Sequence, residues 1–239
     1  MITFDYNAKN GKALIGGDKL DVIREHFSYE NKGAKFAKKL GYRPPARFYC
    51  ITPGGQYDIG LTNEIITFCK TKSEYNFTFT DNFNVAWKNN IVFKDEENLT
   101  LEKRDYQKES VELACEQGRG ICVLGTGAGK TLTCAYLIES MFEKFGKHTR
   151  GVIIVPDLGL VSQTYNDFKE YNVTFTYSKW TGSDEYIETN VVIVNSLLLQ
   201  SKYSDCDWIN HIDFLIVDEC HKLKRTNELT KIVSKIKTI

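Results

Sequence analysis

The sequence predicts an α/β protein: a parallel sheet covered by helices, preceded by a small α+β domain. Two observations carry that prediction. From about residue 120 onward, short runs that are apolar throughout alternate with longer segments whose apolar residues recur at helical spacing. Before about residue 90, short alternating aromatic runs mix with brief helical faces and Gly-rich turns. Runs apolar on both faces belong to strands covered on both sides, as in parallel sheets.

The 239 residues are enough for one large domain or two small ones, and 42% hydrophobic content is enough for a core. Lys+Arg and Asp+Glu balance at 31 each, but unevenly along the chain. Residues 1–90 hold 13 basic and 9 acidic side chains (13 − 9 = +4), and the remainder 18 and 22 (18 − 22 = −4). That asymmetry suggests a basic, nucleic-acid-facing module beside a more acidic one. Seven cysteines contain no Cys-x-x-Cys pair, which argues against a structural zinc and for reduced, buried thiols of a cytoplasmic protein. No apolar run approaches the ~20 residues of a membrane span. The N-terminus lacks the basic-then-apolar form of a signal peptide.

In order along the chain, Asp18 is expected to cap a helix that places Leu20, Ile23 and Phe27 on one face. A basic stretch follows, Lys32, Lys35, Lys38, Lys39, Arg43 and Arg47, interleaved with Phe36, Tyr42, Phe48 and Tyr49. Arg47–Thr52 and Gln56–Leu61 read as a hairpin turned by Pro53-Gly54-Gly55. Leu61, Ile65, Phe68 and Cys69 mark a helix, and Tyr75–Thr80 a strand. The boundary is placed between residues 92 and 93, giving domains 1–92 and 93–239. Beyond it, Ile121–Leu124, Gly151–Val155, Val191–Val194 and Phe214–Val217 read as buried strands. Cys134, Leu137, Ile138, Met141, Phe142 and Phe145 form one helical face. Leu158, Val161, Tyr165 and Phe168 form another, and Leu229, Ile232, Val233 and Ile236 a last one.

Chemistry concentrates after two of these runs. Thr126-Gly127-Ala128-Gly129-Lys130-Thr131 enters the helix that begins near Lys130. A Gly-rich turn opening a helix presents inward N–H groups and the partial positive charge of a helix N-terminus, which suits a triphosphate. Lys130 would reach the β- and γ-phosphates, and the Thr131 hydroxyl would ligate Mg²⁺. The strict eight-residue pattern wants Gly where Leu124 stands, while the core is complete. Asp218-Glu219-Cys220-His221 follows the last apolar run. Asp218 is placed to hold the Mg²⁺ shell, and Glu219 to orient or deprotonate an attacking water.

These two motifs, with Asp-Glu-x-His in the second, resemble those of superfamily 2 DExH-type helicases, whose motor domains are RecA-like. Arg104-Asp105-Tyr106-Gln107 resembles the element of that superfamily in which a glutamine amide reads adenine, so Arg104 and Gln107 join the ATP site by resemblance. Pro156 and Gln163, Thr181 and Gly182, and Ser196 occupy the places of strand-tracking motifs. His221 would couple the nucleotide site to a second motor domain. The N-terminal part is similar to the DNA-binding domain of phage UvsW-type helicases, which remodel branched DNA in recombination and repair. The resemblance implies an ATP- and Mg²⁺-dependent enzyme, a monomer acting on branched or forked DNA in the host cytoplasm, with no membrane partner. Lys35, Lys38, Lys39, Arg43 and Arg47 would meet nucleic-acid phosphates. The resemblance also implies a third motif and a second RecA-like domain beyond Ile239, so that this chain alone is expected to hydrolyse ATP very slowly. His26, His148 and His211 read as structural or exposed. Alternatives are a non-catalytic module that binds nucleotide and nucleic acid, an RNA-directed helicase, and a restriction-type translocase motor. A small-molecule phosphate-loop kinase is disfavoured by Gln107 and the acidic box.

Overall fold

The computed structural model describes residues 1–9, 11–87, 99–146, 148–182, 186–224, 227–236 and 238. They belong to two compact units, Met1–Lys88 and Asn89–Ile239. The expected boundary at residue 92 falls in the stretch 88–98, outside the described residues.

The first unit runs β1 (Ile2–Asn7), β2 (Lys12–Gly17), α1 (Leu20–His26), β3 (Ser28–Glu30), α2 (Ala34–Lys39), β4 (Arg47–Tyr49), β5 (Gln56–Tyr57), α3 (Thr62–Lys70), β6 (Phe77–Phe79) and α4 (Asp81–Trp87). Its main sheet has the order β5-β2-β1-β6, with β6 parallel to β1 and the other pairs antiparallel. The alternate residues Ile2 and Phe4 of β1, and Ala13 and Ile15 of β2, are buried with Ile23, Ile65 and Cys69. Phe4 is fully buried among the rings of Phe77, Phe79 and Phe83, at centroid distances of 5.9, 5.3 and 5.7 Å.

Two expectations for this unit are corrected. Asp18 does not cap α1; its carboxylate takes the Met1 amino group at 2.9 Å, and Lys19 stands at the N-cap without a side-chain bond. The expected 47–61 hairpin does not form. The turn at Pro53-Gly54-Gly55 exists, closed by the Gly55 N–H on the Thr52 carbonyl at 2.9 Å, but the strands on either side part company. β4 pairs with β3 in a separate two-stranded sheet, and β5 joins β2. Gly55 explains the parting: its carbonyl accepts from Ile15 N–H, its φ is +79°, and a Cβ there would lie 1.9 Å from the Ile15 carbonyl oxygen. Docking on β2 therefore takes the chain out of any ladder with β4.

The second unit runs α5 (Asp105–Gln117), α6 (Lys130–Phe145), β7 (Gly151–Val155), α7 (Leu158–Tyr171), β8 (Tyr177–Trp180), β9 (Val191–Asn195), α8 (Ser196–Lys202), β10 (Phe214–Val217) and α9 (Glu228–Val233). The sheet order is β10-β7-β9-β8, all pairs parallel. Residues alternate between its faces. Ile153, Val155 and Ile193 pack with Val111, Ile138, Val161 and Phe168 of α5, α6 and α7. Val152, Ile154 and Val194 pack on the other side with Leu199 of α8 and Leu229 and Ile232 of α9. The parallel sheet covered on both sides is thus present.

Ile121–Leu124 is not a strand. It lies outside every ladder among the described residues, and Ile121 and Val123 are 76% and 89% exposed. An apolar run is held as a strand only where a neighbour satisfies its backbone groups and covers its side chains. The last helix also ends earlier than expected, at Val233, leaving Ile236 beyond it. Of the seven cysteines, Cys69, Cys115 and Cys206 are buried, Cys134 and Cys220 are intermediate, and Cys50 and Cys122 are exposed, so the expectation of buried thiols is met at three positions. Among the described residues, no helix is long and apolar enough to cross a membrane.

Candidate nucleotide-binding site

In a parallel sheet the loops after the strands gather at one edge. Here the C-terminal ends of β7, β9 and β10 bring Pro156, Ser196, Asp218 and Glu219 around one crevice. The Ser196 hydroxyl donates to the Pro156 carbonyl at 3.2 Å, tying two of the expected strand-tracking residues together.

The phosphate loop makes a tight turn, with Ala128 N–H on the Gly125 carbonyl at 3.2 Å, and enters α6 at Lys130. Gly127 and Gly129 have φ of +77° and +73°, which L side chains rarely adopt. Gln107, 2% exposed on the first turn of α5, clamps the loop. Its Nε2 donates to the Ala128 and Gly129 carbonyls, both at 3.2 Å, and its Oε1 accepts from Arg104 N–H at 3.0 Å. A Cβ on Gly129 would lie 2.5 Å from Gln107 Nε2. A trans peptide is planar, with C=O and N–H on opposite sides. Holding both carbonyls against α5 therefore turns the Gly129 and Lys130 N–H groups the other way, toward the open N-terminal end of α6. Gln107 Nε2 is thus committed to the loop.

Glu219 faces this loop. Lys130 Nζ lies 3.1 Å from Glu219 Oε1, and His221 Nδ1 lies 3.2 Å from Oε2. The Lys130 ammonium, by its hydrogen bond and its charge, holds the Glu219 carboxyl below the usual range. Glu219 adopts φ 52° and ψ 44°, a left-handed conformation that costs a non-glycine residue about 1–2 kcal/mol. Asp218 begins that turn: its N–H donates to the Ile154 carbonyl at 2.9 Å, and its Oδ1 accepts from Glu219 N–H at 2.9 Å. Strained backbone held by its surroundings is a mark of functional sites.

The oxygen donors suit Mg²⁺. The Thr131 hydroxyl is hydrogen-bonded to Asp167, whose carboxyl is pushed up by burial; the hydroxyl donates and keeps its oxygen lone pairs. Asp218 adds a carboxylate. Among the described residues no cluster of three or more His, Cys, Asp or Glu could cage a metal. Magnesium is commonly held by one or two protein oxygens together with substrate phosphates and water, so this sparse set fits.

Residues 100–239 match the family described as type III restriction enzyme, res subunit. The chain belongs to that family. Within it, the chain is a superfamily 2 helicase chain with a RecA-like sheet. It is 26% identical over 239 aligned residues to the ATP-dependent DNA helicase uvsW of Enterobacteria phage T4, covering 89% of this chain and 44% of that protein. It is 31% identical over 124 residues to the DNA 3'-5' translocase XPB2 of Sulfurisphaera tokodaii, covering 52% of this chain and 26% of that one. The chain thus spans less than half the length of these relatives. A crystal structure of the UvsW helicase from bacteriophage T4 shares the fold, with TM-score 0.75, 22% identity, and coverage of 98% of this chain and 86% of that one. Every residue of the nucleotide site lies inside the segment matched to the restriction-subunit family.

No contact with this site is described for the remaining expected residues of the second unit. Gln163 is exposed on α7, and Thr181 and Gly182 follow β8. In the first unit Lys35, Lys38, Lys39, Arg43 and Arg47 are exposed, and Arg47 Nε lies 3.2 Å from Glu25 and 3.0 Å from the Ser28 hydroxyl. Tyr106 was missed as a site residue. Its hydroxyl bonds the loop at Ala128, and no spacing rule signals that contact.

Proposed function

We propose that this chain carries the nucleotide-handling site of an ATP-driven DNA helicase or translocase that remodels branched or forked DNA in recombination and repair. The approach of Lys130 to Glu219 carries the reading. Two side chains 89 positions apart meet at 3.1 Å, one on a phosphate-type loop and one after a strand end. The names of the relatives, a DNA helicase and a DNA translocase, support the nucleic-acid side.

In this reading the triphosphate takes Lys130 away from Glu219. The N–H groups turned outward by the Gln107 clamp meet the phosphate oxygens. Glu219, released from the lysine and held by its turn, accepts the proton of the attacking water. Thr131 and Asp218 would hold Mg²⁺, which when bound neutralises developing phosphate charge. Arg104 and Gln107 border the base, and His221, already in contact with Glu219, would pass the state of the site onward. Lys35, Lys38, Lys39, Arg43 and Arg47 would contact DNA phosphates without reading sequence.

ATP binding by calorimetry and single-turnover hydrolysis, with and without forked DNA, test this. Lys130→Ala is expected to weaken ATP binding at least tenfold. Glu219→Gln, measured in a form of the protein that carries a second RecA-like domain, is expected to keep binding and slow hydrolysis by ~10²-fold or more. Wild-type affinity in the first variant, or wild-type turnover in the second, would overturn the assignment. Competition between matched forked DNA and RNA at fixed salt decides the polymer, and a clear RNA preference would reject the DNA reading.

A further inference from the structure

Beside the Gln107 clamp lies a second route from α5 to the phosphate loop. Arg104 Nη1 donates to the Tyr106 hydroxyl at 2.9 Å, and that hydroxyl donates to the Ala128 carbonyl at 3.0 Å. The three groups form a relay whose donors all point one way, from guanidinium to hydroxyl to carbonyl. A cation donating to a hydroxyl makes that hydroxyl a stronger donor in turn. The Ala128 carbonyl then accepts from both Tyr106 and Gln107. It is the carbonyl whose orientation fixes the direction of the Gly129 N–H. Gln107 is buried, but Tyr106 is 36% exposed and Arg104 is exposed. The inner clamp is therefore shielded from water, and the outer one is open to competition from it.

We propose that Tyr106 is a positioning residue of the phosphate loop, coupling Arg104, at the base end of the site, to the orientation of the Ala128–Gly129 peptide at its phosphate end. The proposal rests on the nucleotide role given to this loop, and on the base-side place given to Arg104, under the proposed function above. A base seated against Arg104 displaces water from the relay and firms the grip on Ala128. The loop amides are then better aimed at the phosphates of a nucleotide than at free phosphate. Selectivity for a nucleoside triphosphate over a bare polyphosphate would thus be partly built into the relay.

The test uses the whole chain, Mg²⁺, and two probes, ATP and inorganic tripolyphosphate, which lacks a base. Tyr106→Phe keeps the ring and removes both hydrogen bonds. It is expected to weaken tripolyphosphate binding about three- to tenfold and ATP binding more. Arg104→Ala is expected to weaken tripolyphosphate binding in the wild-type background and to have no further effect on it in the Tyr106→Phe background. Amide hydrogen exchange across residues 125–130 should rise in Tyr106→Phe while exchange in β7 and β9 stays unchanged, a pattern that general destabilisation would not give. If Tyr106→Phe does not fold, Arg104→Ala alone decides the matter through its effect on tripolyphosphate. Unchanged tripolyphosphate affinity in the single variants, or fully multiplicative losses in the double variant, overturns the relay and leaves the nucleotide site standing. A wild-type chain that binds neither probe overturns both.

Discussion

The two flanks of the phosphate loop are held in opposite ways. Downstream, Ala128 and Gly129 are clamped by Gln107, touched by Tyr106 and continued by the hydrogen bonds of α6. Upstream, Ile121–Leu124 has no ladder among the described residues, and Val123 is 89% exposed. The difference shows that the polar half of the loop takes its shape from nearby side chains and a helix start. The apolar half depends on sheet neighbours. The turn is thus held here without a ladder on the run that feeds it.

Substitutions on the two flanks should differ sharply. Gly129→Ala carries the largest expected effect, because the position has φ +73° and the new Cβ would press on Gln107 Nε2. A loss of about 3 kcal/mol is expected, combining left-handed strain with displaced hydrogen bonds. Gln107→Ala removes one of several donors from each of two loop carbonyls and the acceptor of the Arg104 N–H, and should cost about 1–2 kcal/mol. Val123→Ser, on the exposed flank, should change stability by no more than about 0.5 kcal/mol. Urea unfolding followed by tryptophan fluorescence in a Trp87→Phe background, which leaves Trp180 and Trp208 of the second unit as reporters, reads all three. A destabilised Val123→Ser would show that the upstream flank is packed after all. A neutral Gln107→Ala would show that α6 alone suffices to shape the loop.

The same contrast explains what could be read from the sequence. β7, β9 and β10 and the helices α6 and α7 were legible because their apolar residues are buried where the pattern says. Ile121–Leu124 carries the same pattern and fails, since periodicity records what a strand could bury, not whether a neighbour is present. The β1–β2 hairpin was missed although Asn10-Gly11 is a turn signal, and β8 was missed because Tyr177-Ser178-Lys179-Trp180 is neither an apolar run nor a strict alternation. In the candidate site, Lys130 and Glu219 could be paired from motif order alone. The clamp by Gln107 could not be. Motif resemblance assigns that amide to a base, while its Nε2 reaches two loop carbonyls only once α5 is laid beside α6.

The cysteine pattern has a practical side. Cys50 lies in the first unit and Cys122 in the second, and both are exposed. Cys69, Cys115 and Cys206 are shielded, and burial pushes the Cys134 thiol up to about 12, so little of the reactive thiolate forms there at neutral pH. Maleimide dyes should therefore attach first at Cys50 and Cys122. The natural protein already carries a donor and an acceptor position, one on each unit, for an optical ruler that follows the two units as nucleotide or DNA is added.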